Sequence, residues 1–169
     1  MKNLKQIIKE EYQKILREQN QSVITKTFRI RKVHGDFECD ENKLTSLKGC
    51  CLEVGGNFYC HYNDLTSLEG APNSVGNHFN CNGNNITSLE GAPSSVGSFG
   101  CAYNNLTSLE GVPSSIDGYF DCRMNKLTSL EGAPSSVGVY FDCRSQKSGV
   151  RFTEQDVRKV SNVKGQIRT

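Results

Sequence analysis

The chain has 169 residues, which is enough for one domain. Only 36% of the residues are hydrophobic, which is low for a compact core, and no apolar run is long enough to cross a membrane. The first ten residues contain no continuous apolar segment of the kind found in secretory signals. The net charge of +2 combines two basic ends with an acidic centre. Residues 1–33 contain nine Lys/Arg and three Glu, residues 144–169 contain seven Lys/Arg and two acids, and the residues between them contain four Lys/Arg and thirteen Asp/Glu. This distribution argues against a nucleic-acid partner.

The first predicted element is an amphipathic helix over residues 1–20. Its apolar side chains recur at helical spacing, at Leu4, Ile7, Ile8, Tyr12, Ile15 and Leu16. Several roles remain open: a cap on the first repeat, a helix that binds a partner or assembles, or a basic helix on a membrane surface. Ile8-Lys9-Glu10 and Leu16-Arg17-Glu18 also resemble the cleavage triplets of leaders on phage proteins packed inside the head, which adds a processed leader.

The second predicted element is an N-terminal cap strand within residues 21–36. Val23 to Val33 is rich in β-branched residues, and Phe28 and Ile30 alternate with polar neighbours. This alternation predicts a strand that opens the sheet.

The centre of the chain is a repeat. The string Leu-Thr-Ser-Leu, once with Ile in first place, begins at Leu44, Leu65, Ile86, Leu106 and Leu127, with spacings of 21, 21, 20 and 21 residues. A fixed period of this size predicts a solenoid of stacked supersecondary units, here over residues 37–146.

Each repeat has recognisable inward positions. A Phe-x-Cys pair occurs six times, at Phe37/Cys39, Phe58/Cys60, Phe79/Cys81, Phe99/Cys101, Phe120/Cys122 and Phe141/Cys143. Residues two apart on a strand share a face, so both side chains are expected in the core. An Asn follows at Asn42, Asn63, Asn84, Asn104 and Asn125, with Gln146 in the sixth unit, and its amide is expected to bond neighbouring turns.

This pattern resembles the leucine-rich repeat, L-x-x-L-x-L-x-x-N-x-L-x-x-L. One unit matches it without a gap, at Val96, Phe99, Cys101, Asn104, Leu106 and Leu109. The repeat is similar to the shortest bacterial form, with an extended return, and the LTSLEGAP wording resembles repeats in proteins of large tailed bacteriophages. The resemblance implies a solenoid with a parallel sheet of about six rungs. Together with the N-terminal helix and a small C-terminal α/β cap, the predicted fold class is an α/β solenoid that is mostly β.

The eight cysteines are predicted to be mainly structural. Six of them share one repeat position and should form a buried column, and the spacing of zinc-ligand clusters is missing. Cys50 and Cys51 differ, because they replace Ala-Pro in the first repeat, and they are expected to be more exposed. A redox or metal role for this pair is the less favoured alternative. The sequence predicts no cofactor and no metal site.

Residues 147–169 are predicted to form the C-terminal cap. Val150-Arg151-Phe152 is expected as a short strand, followed by a helix that begins at the N-cap Thr153 and buries Val157 and Val160. Gln166-Ile167-Arg168 is expected as a last edge strand.

The residues that flank each Phe and Cys vary between repeats. Because side chains alternate along a strand, these residues face outward, and they are the predicted binding surface. The last two units repeat Tyr-Asp-Arg, as Tyr119, Asp121, Arg123 and as Tyr140, Asp142, Arg144, and Tyr59 and His61 are further candidates. Tyr and Arg are favoured at binding hot spots. The alternative is that each Asp and Arg simply pair on the sheet surface.

The function predicted from these patterns is a non-catalytic protein-binding scaffold. Cys60 and His61 are adjacent, so on a strand they point to opposite faces and cannot act as nucleophile and base. The missing secretory signal predicts a cytoplasmic protein, and the resemblance implies a phage-encoded one, which would place it in the host cytoplasm. The alternative is a virion-associated structural protein, packaged or displayed through its N-terminal helix.

Overall fold

The computed structural model describes residues 32–169. These residues are mostly β and wind through roughly five turns of a parallel β-solenoid. The long sheet has seven parallel strands, which are β2 (Phe37–Glu38), β4 (Phe58–Tyr59), β6 (His78–Asn80), β7 (Ser98–Gly100), β9 (Phe120–Asp121), β11 (Tyr140–Asp142) and β13 (Gln166–Arg168). The predicted solenoid and its parallel sheet are confirmed.

The return side of each turn is also extended. One short parallel sheet contains β1 (Lys32–Val33), β3 (Glu53–Val54) and β5 (Ser74–Val75). A second contains β8 (Ser115–Ile116), β10 (Ser136–Val137) and β12 (Asn162–Val163). Between them the pairing continues as a single bridge from Ser74 to Ser95. The core lies between the long sheet and these returns.

Two N-terminal predictions fall outside this region. The helix predicted for residues 1–20 and most of the cap strand predicted for residues 21–36 lie outside the described residues. The part of the predicted strand that is described, Lys32–Val33, is β1 and pairs with β3.

A column of phenylalanines fills the core behind the long sheet. Phe58, Phe79, Phe99, Phe120 and Phe141 are fully buried, and full burial of such a side chain is worth about 1.5–3 kcal/mol. Successive ring centroids are 5.0–6.2 Å apart. The rings of Phe37 and Phe58 are almost parallel, at 6°, whereas those of Phe120 and Phe141 are almost perpendicular, at 83°.

The predicted cysteine column is confirmed. From Cys60 onward, each thiol of the column donates a hydrogen bond to a backbone carbonyl of the next strand, as Cys81 does to Gly100 at 3.3 Å. Burial raises the pKa of the Cys81 thiol and raises that of Cys143 to about 12. The prediction that Cys50 and Cys51 are more exposed is wrong, because both side chains are turned inward and buried.

The asparagine after each strand ties neighbouring turns together. The Asn104 amide, fully buried, donates to the Cys81 and Cys101 carbonyls at 3.0 and 3.1 Å, and its oxygen accepts the Ile86 N–H at 3.0 Å. Asn63, Asn84, Asn125 and Gln146 make equivalent contacts. The expectation that these amides bond neighbouring turns is therefore confirmed.

Left-handed backbone conformations recur at two positions of the repeat. One is the residue before the Asn, with φ of 50–65°, at Glu41, Tyr62, Gly83, Tyr103, Met124 and Ser145. The other is the glycine that follows Leu-Thr-Ser-Leu-x, such as Gly70 at φ 90°. A Cβ at Gly70 would lie 2.6 Å from the Leu47 carbonyl oxygen, so both the conformation and the close approach require glycine.

The C-terminal cap extends both sides of the solenoid. Helix α1 (Glu154–Val160) begins with a capping box between Thr153 and Asp156, as predicted, and it is the only helix among residues 32–169. Strands β12 and β13 then pair with β10 and β11, which confirms the predicted edge strand. The strand predicted at Val150-Arg151-Phe152 is wrong, because these residues make no ladder pairing. Val157 is buried, but Val160 is 38% exposed, because it lies at the end of a helix of only seven residues.

Replacing Asn104 by Ala should lower the free energy of unfolding by about 3–5 kcal/mol, because two buried carbonyls and one N–H lose their partner. Urea unfolding measures this. Asn105→Ala is the matched control, since Asn105 is partly exposed and its structural bond is made by its backbone N–H. An equal loss in both variants would contradict the role of the amide.

Candidate binding surface on the long sheet

Most of the predicted site residues lie on the outward side of the long sheet, at the C-terminal end of the solenoid. In register, β11 lies between β9 and β13, so that Asp142 is opposite Asp121 on one side and Arg168 on the other. We call the following seven residues the tyrosine–arginine patch: Tyr119, Asp121, Arg123, Tyr140, Asp142, Arg144 and Arg168.

The two aspartates of the patch are buried. Asp142 is 0% exposed and Asp121 is 5% exposed, so the prediction that they face solvent is wrong. Gly100, the last residue of β7, and Ala102, two residues after it, are also buried contrary to prediction. The four residues do point away from the phenylalanine core, but long side chains on neighbouring strands lie over them.

The guanidinium of Arg144 covers Asp142 in a bidentate pair. Arg144 Nε donates to Asp142 Oδ1 at 3.0 Å, and Nη2 donates to Oδ2 at 2.7 Å. The Arg144 backbone N–H also donates to Oδ1 at 3.2 Å. The predicted alternative, that Asp and Arg pair, is therefore confirmed for this rung, with the carboxylate beneath the arginine.

Two further arginines converge on the same carboxylate. Arg123 Nη1 and Arg168 Nη1 lie 3.7 and 4.0 Å from Asp142 Oδ2, and Arg123 Nε lies 3.6 Å from Asp121 Oδ2. Burial raises the pKa of Asp121, and the nearby Arg123 opposes this rise. The patch contains three guanidinium groups and two carboxylates, and each arginine side chain remains 34–45% exposed. With both carboxylates ionised, a positive charge therefore remains facing solvent.

A row of aromatic rings crosses the face from the patch toward the N-terminal strands. Tyr140 stacks on Tyr119, with centroids 4.9 Å apart and an interplanar angle of 4°. The Tyr119 ring contacts His78 at 5.0 Å, and His78 contacts Tyr59 at 6.0 Å. Tyr59 in turn contacts His61 at 5.9 Å. The candidates Tyr59 and His61 thus lie outside the patch but are joined to it through His78.

The row is continuous because the fourth strand has small residues. Tyr119 reaches across β7 and its hydroxyl lies 2.6 Å from His78 Nε2. A Cβ at Gly100 would lie 3.2 Å from the same His78 nitrogen and 3.1 Å from Asn82 Oδ1, so a larger residue there would separate the two rings. Burial, with a smaller contribution from His61, lowers the pKa of His78 to about 4. The His78 ring is therefore neutral at pH 7, and one of its nitrogens can accept a hydrogen bond from the Tyr119 hydroxyl.

The faces of the Tyr140 ring are already covered. One face lies against Tyr119, and Arg168 lies over the ring, 4.1 Å from its centroid. Tyr140 therefore presents ring edges and a hydroxyl group to a ligand. A ligand that needs an open ring face, such as a nucleobase or a sugar, finds none at Tyr140.

The opposite end of the face is acidic. Asp36, Glu38 and Asp40 occupy the outward positions around β2, and His61 Nε2 lies 3.8 Å from Asp40 Oδ2. Asp40, Glu41 and His61 each place one ligand atom within 4.8 Å of the others. Exposed carboxylates often form such groups without a metal ion, and we assign no ion to them.

Sequence reasoning missed two residues of this surface. His78 occupies one of the outward positions that vary between repeats, but nothing in its repeat signals contact with Tyr119, 41 positions away. Arg168 lies in the unrepeated cap, and its signal is the pairing of the edge strand with β11, which places it opposite Asp142.

Arg144→Gln should lower the free energy of unfolding by about 3 kcal/mol or more, because it leaves the Asp142 carboxylate buried without its bidentate partner. The double variant Asp142→Asn/Arg144→Gln removes both charges and should lose less. Urea unfolding of both variants measures the difference. If the double variant loses as much free energy of unfolding as Arg144→Gln, or more, then Asp142 and Arg144 do not form a buried charged pair.

We expect His78 to titrate near pH 4. An unfolded histidine takes up its proton near pH 6.5, so His78 should make the folded state lose stability as the pH falls from 6.5 toward 4. His78→Gln should reduce this loss in thermal unfolding, whereas His34→Gln, at an exposed position, is the control. If an NMR titration shows that the His78 ring takes up its proton near pH 6.5, the expectation is contradicted.

Comparison of the chain with protein-family models, curated proteins and solved structures finds no significant match. Among the described residues, no helix has the length and apolarity to cross a membrane.

Proposed function

We propose that this protein is a non-catalytic binding module whose partner is a segment of another protein lying across the long sheet, with acidic side chains against the tyrosine–arginine patch. The observation that carries the proposal is the convergence of three partly exposed arginines and two stacked tyrosines at one end of a single face. Tyr and Arg are among the residues enriched at binding hot spots.

The size of the face favours a segment over a whole domain. Seven strands at about 4.8 Å spacing give a width of about 29 Å, and the five residues that contain the three outward positions of each strand give about 16 Å. The product is roughly 460 Å², compared with about 800 Å² per partner in a standard interface. An extended chain of about nine residues covers the width.

The charge of the face favours a polar partner with a definite orientation. The arginine end attracts carboxylates, whereas Asp36, Glu38 and Asp40 at the other end attract basic side chains. Opposite charges at the two ends of one surface fix the direction of a bound segment and disfavour the reversed arrangement.

The covered ring faces support a protein partner over a nucleic acid. Proteins that bind single strands stack bases on open aromatic faces and present a continuous basic groove. Here the Tyr140 faces are occupied by Tyr119 and Arg168, and the opposite end of the sheet, around β2, is acidic. This supports the expectation of no nucleic-acid partner.

The repeat pattern supports the same class of function. We infer that the units are short leucine-rich repeats, since inward Phe and Cys, the asparagine ladder and an extended return all follow that pattern, and this class serves as a binding scaffold. A phage origin and a place in the virion remain expectations. The virion alternative depends on residues 1–20, outside the described residues, so the long sheet alone carries this proposal.

The proposal predicts which peptides the protein selects. A displayed library of random peptides is selected on the intact protein, and the affinities of the selected peptides are measured by fluorescence anisotropy. We expect enriched peptides to carry Asp or Glu toward one end, and we expect NMR shift changes to map to the tyrosine–arginine patch.

The test variant must not leave a buried charge. Asp121→Asn/Arg123→Gln/Asp142→Asn/Arg144→Gln removes both ion pairs without altering net charge and should weaken binding at least about tenfold, since charge-assisted contacts are worth about 1.5–3 kcal/mol each. Glu110→Gln/Glu131→Gln, at exposed positions outside the long sheet, is the control. Peptides without acidic residues, or equal binding by the test variant, would overturn the proposal.

A further inference from the structure

The adjacent cysteines Cys50 and Cys51 are a departure from the repeat that the fold does not require. In the four later repeats the same two places are occupied by Ala71-Pro72, Ala92-Pro93, Val112-Pro113 and Ala133-Pro134. Each of these pairs closes the same turn after Leu-Thr-Ser-Leu, with the backbone N–H of Cys50, like that of Ala71, donating to the leucine carbonyl three residues earlier. Two thiols are therefore present where an alanine and a proline suffice.

The two thiols are in direct contact. Cys50 Sγ and Cys51 Sγ are 3.4 Å apart and share a hydrogen bond, and their residues are 1% and 2% exposed. The column cysteines are different, because from Cys60 onward each thiol donates to a backbone carbonyl of the next strand. Cys50 and Cys51 thus form a thiol–thiol pair, whereas the five column thiols from Cys60 onward bond carbonyls.

The contact also separates the pair chemically from the column. The hydrogen bond from the Cys50 thiol lowers the pKa of Cys51, although burial opposes it. Burial raises the pKa of the column thiols Cys60, Cys81, Cys101 and Cys122. Because the thiolate is the nucleophilic form, Cys51 is more ready to react than these column thiols.

We propose that Cys50 and Cys51 form a vicinal dithiol site that hydrogen peroxide oxidises to a disulfide between the adjacent residues. The Cys51 thiolate attacks one peroxide oxygen, which breaks the O–O bond and gives a sulfenic acid and, after proton uptake, water. The Cys50 sulfur then attacks the sulfenic sulfur, forms the S–S bond and releases a second water. Overall, two thiols are oxidised and one peroxide is reduced to two water molecules.

The position of the pair favours a small oxidant and a reversible product. Both thiols are covered, so a molecule of the size of peroxide reaches them more readily than a peptide disulfide does. The Cα atoms of adjacent residues are about 3.8 Å apart, below the usual disulfide range of about 4.4–6.8 Å. The product is therefore strained and readily reduced, as in labile disulfides. This site is independent of the binding surface on the long sheet.

The experiment uses the full chain, reduced, freed of reductant and treated with hydrogen peroxide under native conditions. Intact mass and the thiol count after denaturation are measured, and alkylation before and after reduction locates the oxidised cysteines. Two of the eight thiols should be lost, the mass should fall by about 2 Da, and the second label should appear at Cys50 and Cys51. Dithiothreitol should restore both thiols.

The matched control is Cys50→Ala/Cys51→Pro, which restores the residues found at Ala71 and Pro72 and should keep its remaining thiols. The single variant Cys50→Ala should instead gain about 16 or 32 Da at Cys51, because the sulfenic acid has no neighbouring thiol to resolve it. Retention of all eight thiols by the natural chain would overturn the proposal. Loss of thiols from the column, or the same loss in the Ala-Pro variant, would overturn it as well.

Discussion

The buried side-chain amide at the end of each long-sheet strand is the interaction on which the rest of the solenoid depends. Each amide donates to carbonyls of its own turn and of the previous one, and accepts an N–H from the previous turn, as Asn104 does with Cys81, Cys101 and Ile86. Adjacent turns are therefore held in one register at one spacing. The columns of Phe, Cys and Leu follow from that register, and so do the rows of outward side chains that form the candidate surface.

The features that suggest function are departures from this regularity. The fourth strand has Ser98, Gly100 and Ala102 where other strands have large polar residues, and this gap lets Tyr119 contact His78 two strands away. The last two repeats place aspartates beneath arginines, and the unrepeated cap adds Arg168 to the same cluster. A regular scaffold thus fixes positions, and a few irregular residues give one end of the face its chemistry.

The sequence predicts the scaffold better than the surface. A period of about 21 residues, inward Phe and Cys, amides that bond neighbouring turns and the N-cap at Thr153 all follow from local pattern, and each is confirmed. Strand alternation correctly points Asp142 away from the core, but its burial depends on Arg144 and on arginines from two other strands. The left-handed turn before each Asn cannot be predicted from the sequence either, because only one of these positions, Gly83, is a glycine. The burial of Cys50 and Cys51 and the missing strand at Val150-Arg151-Phe152 depend on packing that no local pattern encodes.

The two ladders inside the solenoid run in opposite directions along its axis. The column thiols donate toward the next turn, whereas the amides donate toward the previous one. Detaching the last turn leaves a thiol and a leucine N–H without acceptors, and detaching the first leaves an amide without a carbonyl. Loss of a turn at either end therefore leaves buried polar groups unpaired, and these inter-turn hydrogen bonds couple each turn to its neighbours and oppose fraying at both ends.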